Sequence, residues 1–405
     1  MKGMDREQGL DTGAGIKRRA FMGKAAGAMV AALAGSGIAG GGQALAQSRP
    51  ARVRGKVDIR RMTIVNSLGD LDDSYGPRPP ELERDSRMMI SPGAIRAGLE
   101  SGLTAVNITL DAETFESCAT AIGRYDNFVR THADTLTKIW TTADIRAAKA
   151  RNRIGLIYGV QNTTMLGDKA DNVDVFADLG LRIVQLTYNS LNRVGGGSMA
   201  PGNPGLTDFG RQVVERLNNR RVVVDLSHSG QRICLDAARF SKQPIAITHT
   251  GCKAVADSPR SKTDEELRLV AERGGYVGIY WVMYLAREKG READIDDVVA
   301  HIEHAIKVCG EDHVGIGTDY GVAPLNPDRA IQSAPWAKMV SERAKAGVAA
   351  PGEYPDILPY ARGLTGPGQF QALADRLAAR GHPVARIEKI LGQNFMRYLG
   401  DIWGA

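Results

Sequence analysis

Two histidines close two neighbouring apolar runs in this chain. Val222-Val223-Val224-Asp225-Leu226-Ser227-His228 carries three β-branched residues into an acid, a hydroxyl and an imidazole. Pro244-Ile245-Ala246-Ile247-Thr248-His249 repeats the pattern after a helical stretch at residues 230–240. Short β-branched runs separated by a helix read as parallel strands of a βαβ unit, which point both imidazoles toward one mouth. A lone histidine in such a place is more often a satisfied loop residue. Two at equivalent strand ends have the composition of a metal site, because neutral imidazole is a ready zinc ligand.

Other polar residues follow apolar runs in the same way. Asp70 comes after the first, Gln161 after Gly155-Leu156-Ile157-Tyr158-Gly159-Val160, and Tyr188 after Ile183-Val184-Gln185-Leu186-Thr187. Asp319 comes after Val314-Gly315-Ile316-Gly317-Thr318. Carboxylates and imidazoles brought together from separate strands suit a hydrolytic zinc centre, in which the ion lowers the pKa of a bound water to about 7. Asp319 has two chemical uses there, as a ligand or as the group that takes the water's proton; its structural alternative is a turn cap. Arg260, in Asp257-Ser258-Pro259-Arg260, is suited to clamp a substrate carboxylate with its planar fork, although an isolated arginine is more often a surface group.

The elements that must position these groups alternate regularly. Strands are expected at residues 62–66, 104–110, 155–160, 183–187, 222–228, 244–249, 276–280 and 314–318, and helices at 91–101, 112–135, 173–179, 208–218, 230–240 and 295–309. Eight strands alternating with helices predict an α/β fold, a (β/α)8 TIM barrel with its active site at the strand C-termini. An open doubly wound sheet is the competing architecture, and no GxGxxG turn supports a nucleotide site in it.

Composition limits what the chain does. With 43% hydrophobic and 24% charged residues over 405 positions, there is ample material for a core. Residues 1–46 read as a twin-arginine signal. Lys17-Arg18-Arg19-Ala20-Phe21-Met22 precedes a glycine-diluted apolar run, and Ala44-Leu45-Ala46 ends it as a cleavage site would. A membrane anchor needs about 20 strongly apolar residues, which this run lacks. The expectation is folding before export, use of the twin-arginine export machinery and work in the periplasm. Residues 47–60 read as a linker, and 61–405 as a single domain. The signal holds six basic and three acidic residues, so of the formal +6 about +3 stays with the mature chain, which gives no argument for a nucleic-acid partner. Cys118, Cys234, Cys252 and Cys309 have no CxxC spacing, which excludes a cysteine zinc ribbon and suggests mostly free thiols.

Several motifs, in order, resemble one family. These are Gly205-Leu206-Thr207-Asp208-Phe209-Gly210, Val224-Asp225-Leu226-Ser227-His228, Thr248-His249-Thr250, Ser258-Pro259-Arg260, Val314-Gly315-Ile316-Gly317-Thr318-Asp319, and the run from Arg386 through Gly392-Gln393-Asn394-Phe395. Together they resemble the membrane (renal-type) dipeptidases, peptidase family M19 of the amidohydrolase superfamily. That resemblance implies a (β/α)8 barrel, a binuclear zinc site and hydrolysis of dipeptides. It casts His228 and His249 as ligands of one zinc, Asp319 as the last-strand acid and Arg260 as the carboxylate clamp.

Three departures fall on the chemistry. Where the family's first strand ends His-x-Asp, this chain has Leu68-Gly69-Asp70, so of that pair only Asp70 remains. Gln161, in Gly159-Val160-Gln161-Asn162, replaces the bridging glutamate, and a neutral amide brings no charge to offset the repulsion of two dications. Tyr188, in Leu186-Thr187-Tyr188-Asn189, replaces a histidine that steadies the oxyanion; its phenol still offers a hydrogen bond to substrate. The metal set is then His228, His249, Asp70, Gln161 and Asp319, with one zinc expected rather than two. Three functions follow: a dipeptidase-type hydrolase of short peptide amides, a periplasmic factor that tailors or matures a peptide-derived metabolite, and a catalytically silent binding protein. The expected partner is a small peptide or peptide-derived substrate, and a homodimer is left open.

Overall fold

Among the described residues, this computed structural model has ten strands, all paired in parallel. They are β1 (Ile64–Asn66), β2 (Leu103–Thr109), β3 (Leu136–Lys138), β4 (Ile154–Val160), β5 (Leu181–Gln185), β6 (Val223–Asp225), β7 (Ala246–Cys252), β8 (Ser261–Lys262), β9 (Tyr276–Ile279) and β10 (Val314–Ile316). The structure describes residues 57–404 apart from Ser74, Lys289, Gly347 and Val348. The expected export signal lies outside the described residues.

Eight strands make the barrel in the order β1-β2-β4-β5-β6-β7-β9-β10. The seam between β1 and β10 is closed by polar groups. Ser67 N–H donates to Ile316 O (3.0 Å), Thr318 N–H to Asn66 Oδ1 (2.9 Å) and Asp319 N–H to Leu68 O (3.0 Å). These eight strands are the eight expected from the apolar runs. β3 and β8 are additions: each is a short strand paired only to one side, to β4 and to β7 respectively. Neither Leu-Thr-Lys nor Ser-Lys carries an apolar run that periodicity could find.

The core has two layers, as a barrel requires. Val65, Ala105, Ile157, Ile183, Val223, Ala246 and Tyr276 point inward, while a larger set from the outward strand faces packs against the helices. The C-terminal helix Asn394–Trp403 plugs the bottom, with the Phe395 ring 4.6 Å from that of Tyr276. The barrel is therefore filled below, and polar groups gather at the other end, where the strands finish.

The helices start where capping chemistry allows. Ser91 caps Pro92–Glu100, Thr207 caps Asp208–Asn219, and Thr263 with Glu266 and Asp294 with Asp297 form capping boxes. The expected long helix at 112–135 is shorter, Phe115–Thr131; Thr114 and Ser117 form the capping box that fixes its start. The fold also takes in part of the expected linker. Val57 and Ile59 are buried, and Val57 N–H donates to Asp375. Two apolar side chains in a basic stretch were enough to anchor it. Among the described residues no helix is long and apolar enough to cross a membrane.

Candidate active site

β6 and β7 deliver their histidines through a buried acid. Asp225 accepts from Ser227 N–H and Oγ–H (3.1 and 2.6 Å) and from Thr248 N–H and Oγ–H (2.9 and 2.7 Å). With its hydroxyl hydrogen committed to Asp225, Thr248 accepts at Oγ from Nδ1 of His249 (3.0 Å). On the neighbouring strand Nδ1 of His228 donates to Oδ1 of Asn189 (2.7 Å). Both imidazoles thus carry the hydrogen on Nδ1 and keep Nε2 as an acceptor; that of His249 is buried without a protein partner. The two rings lie 5.0 Å apart, and Tyr188 stacks on His228 at 4.1 Å. Burial, reinforced by the charge of Arg260, holds both histidines well below the ordinary imidazole pKa, so they are neutral.

Tyr188, Asn189, His228, Arg260 and Asp319 line one narrow cavity of about 50 Å³. Arg260 is 2% exposed, donates through Nη1 to Ser227 O (2.8 Å), and has an Nη2 with no protein partner. A buried guanidinium with an idle donor is short of an anion. Asp319 sits at the barrel seam in a left-handed conformation (φ +55°), which aspartate tolerates better than most residues. Burial pushes its carboxyl up to about 7, and the charges of Arg260 and Arg343 oppose the rise.

The roof comes from outside the barrel. Trp336, Met339 and Arg343 of helix Arg329–Lys345 close over the cavity. Arg343 is clamped by Glu353 through Nε–Oε2 and Nη2–Oε1 bonds of 2.9 Å each, and Tyr284 O–H donates to the same carboxylate at 2.7 Å. Arg343 also hydrogen-bonds Tyr188.

The structure therefore gathers Tyr188, His228, Arg260 and Asp319 around one cavity, with His249 edge-on against His228. Asp70 and Gln161 do not line it. The Gln161 amide donates to Thr109 Oγ1 (2.9 Å), and Asp70 Oδ1 accepts from Leu71 N–H (2.7 Å) while its charge acts on Tyr125. Asn189, Tyr75, Tyr284, Arg343 and Glu353 escape a reading confined to strand ends. Only Asn189 had a signal, as the neighbour of Tyr188.

Residues 91–342 match the membrane dipeptidase family, peptidase family M19. The chain belongs to this family. An amidohydrolase from Pseudomonas aeruginosa shares 30% identity, with a TM-score of 0.71 over 85% of this chain and 98% of that one. A metallopeptidase from Rhodobacter sphaeroides, liganded with a phosphinate mimic of the dipeptide L-Ala-D-Ala, shares the fold at 19% identity (TM-score 0.65, 84% and 99% covered). An uncharacterized Klebsiella pneumoniae protein in the pqqA 5′ region is 25% identical over 272 residues, 65% of this chain and 88% of its own length. The barrel and the hydrolase family are thus shared with metal-dependent dipeptidases.

The donor set does not fit the two-ion centre that the resemblance implies. Leu68, which the resemblance sets at the first-strand histidine position, is 3% exposed and offers only a branched alkyl group. Gln161 is bonded to Thr109 and supplies no anion to bridge two dications. Among the described residues no three His, Cys, Asp or Glu side chains converge as a metal-holding group. The four cysteines are buried and unpaired, with thiols pushed up by burial, that of Cys118 to about 12.

Proposed function

We propose that this family member acts on a small, carboxylate-bearing peptide or peptide-derived amide, and that its turnover of ordinary dipeptides is weak. The observation that carries the reading is the buried Nη2 of Arg260, unpartnered within the protein, on a side chain that lines one cavity with Asp319, Tyr188 and His228. A substrate carboxylate supplies the missing acceptor. In the hydrolytic form of the reading, Asp319 accepts a proton from the attacking water and returns it to the leaving amine. Tyr188, whose oxygen accepts from Arg343, keeps its own hydrogen for the carbonyl oxygen as negative charge develops there.

No step passes through an ion. The reading allots at most one zinc, to the acceptor nitrogens of His228 and His249. A tailoring or maturation role on a peptide-derived metabolite is favoured over ordinary dipeptide cleavage by one feature, the loss of the bridging anion at Gln161. We further propose that the protein is exported through its twin-arginine signal and works in the periplasm.

The test is a dipeptide panel assayed with and without chelator, beside calorimetric binding of the same ligands to wild type and Arg260→Ala. Slow or absent hydrolysis with binding that weakens at least tenfold in Arg260→Ala is expected. Fast, zinc-dependent hydrolysis of common dipeptides would overturn the reading.

A further inference from the structure

The cavity holding Asp319 and Arg260 is too small for a dipeptide. Its volume is about 50 Å³, and with one water needing roughly 10–15 Å³ by this kind of measure it holds roughly four waters, a carboxylate and little more. Beside it lies an outer cavity of about 410 Å³. That is the size of a small-molecule site, for which roughly 300–1,000 Å³ is usual.

One thin wall separates the two. Met283 and Tyr284 line both cavities. Pro259 faces outward where Arg260 faces inward, and Tyr354 faces outward where Glu353 faces inward. Three separate segments thus contribute to both sides, and the inner face of the wall is tied by the hydrogen bond from Tyr284 O–H to Glu353. The outer cavity offers Ala256, Ile357 and the Tyr354 ring as an apolar and aromatic surface. Most of its charges are already answered, and that of Glu288 acts on the neighbouring Arg291. Arg291 is bonded to both oxygens of Asp297, Arg287 reaches the same carboxylate, and Asp257 faces Lys253. The chamber therefore suits a neutral, partly aromatic body rather than a second ionic group.

We propose that the outer cavity binds the body of a substrate longer than a dipeptide, a carboxylate-ended peptide derivative with a neutral apolar or aromatic extension, whose charged end reaches Arg260 past Tyr284. The proposal rests on the inner cavity being the carboxylate site. Tyr284 and Tyr354 then determine specificity by length, and the wall must part at the Tyr284–Glu353 bond for the two ends to be held together.

Calorimetric titration of the full chain with L-Ala-D-Ala and with its N-benzoyl derivative tests this. Wild type should bind the benzoyl compound about tenfold tighter, the lower end of what burying a ring against an apolar wall returns. In Tyr354→Ala, a half-exposed position that tolerates truncation, and in Ala256→Trp, which fills the chamber, that ratio should fall to about one. Equal affinities in wild type, or a tenfold ratio kept in both variants, would overturn the outer site. Arg260→Ala separates the two readings. If it weakens both ligands while the ratio stays near one throughout, the inner site stands and the outer one falls. If it changes neither, or if neither ligand binds wild type, the inner reading fails and the proposal with it.

Discussion

Glu353→Gln should loosen the roof of the site without unfolding the barrel. The Glu353 side chain is 2% exposed and accepts two bonds from Arg343, which is 24% exposed, and a third from Tyr284. Breaking a fully buried ion pair costs about 3–5 kcal/mol, and the partial exposure of Arg343 lowers this to about 2–3 kcal/mol. The amide keeps one acceptor oxygen, which argues against a larger value. These contacts join helix Arg329–Lys345 to the segment around Glu353 and to Tyr284, so the loss should appear as local opening rather than global instability. Native-state hydrogen exchange of that helix should therefore accelerate roughly 30- to 150-fold, while amides of β4 and β7 keep their protection. Unchanged exchange in the helix would refute the idea that this carboxylate holds the roof down. Equal acceleration in the barrel strands would show that the pair supports the whole fold instead.

Asp319→Asn should gain stability relative to wild type as pH rises. The folded carboxyl titrates at about 7 against an ordinary, solvent-exposed value of 3.8, so between those values the unfolded chain has released a proton that the folded chain still holds, and wild-type stability falls across that window. Three units correspond to at most about 4 kcal/mol; urea unfolding with chelator at pH 4.5 and 8 should show most of this difference, and a pH-independent offset would contradict it. Asn189→Ala leaves the Nδ1 hydrogen of buried His228 without an acceptor, which should cost about 1–3 kcal/mol and mix its tautomers in ¹⁵N spectra. Retention of the Nδ1–H form would mean that another group orients the ring.

The barrel was legible because each of its eight strands lies in a β-branched or apolar run, and these runs alternate with helical stretches. β3 and β8 were not, since two or three residues of mixed polarity pair only because β4 and β7 lie beside them. His228, His249 and Asp319 could be found from their places after apolar runs. The roof could not. Arg343 and Glu353 sit ten residues apart in a segment with no strand pattern, and only the folded chain brings their bidentate pair over Tyr188. The fine structure of the histidines was equally hidden, because the Asp225–Thr248–His249 chain depends on which hydroxyl hydrogen is already committed. Leu68 and Gln161 were readable as departures, yet where the Gln161 amide goes, to Thr109, followed only from the packing of β2 against β4.

Zinc content per chain, measured by elemental analysis of protein purified after export, tests the altered donor set most directly. At most one ion is expected in wild type, with Leu68→His combined with Gln161→Glu raising the value toward two. Two zincs at full occupancy in the wild-type protein would contradict it, because Leu68 and the Gln161 amide would then have to tolerate a centre they are chemically unsuited to hold.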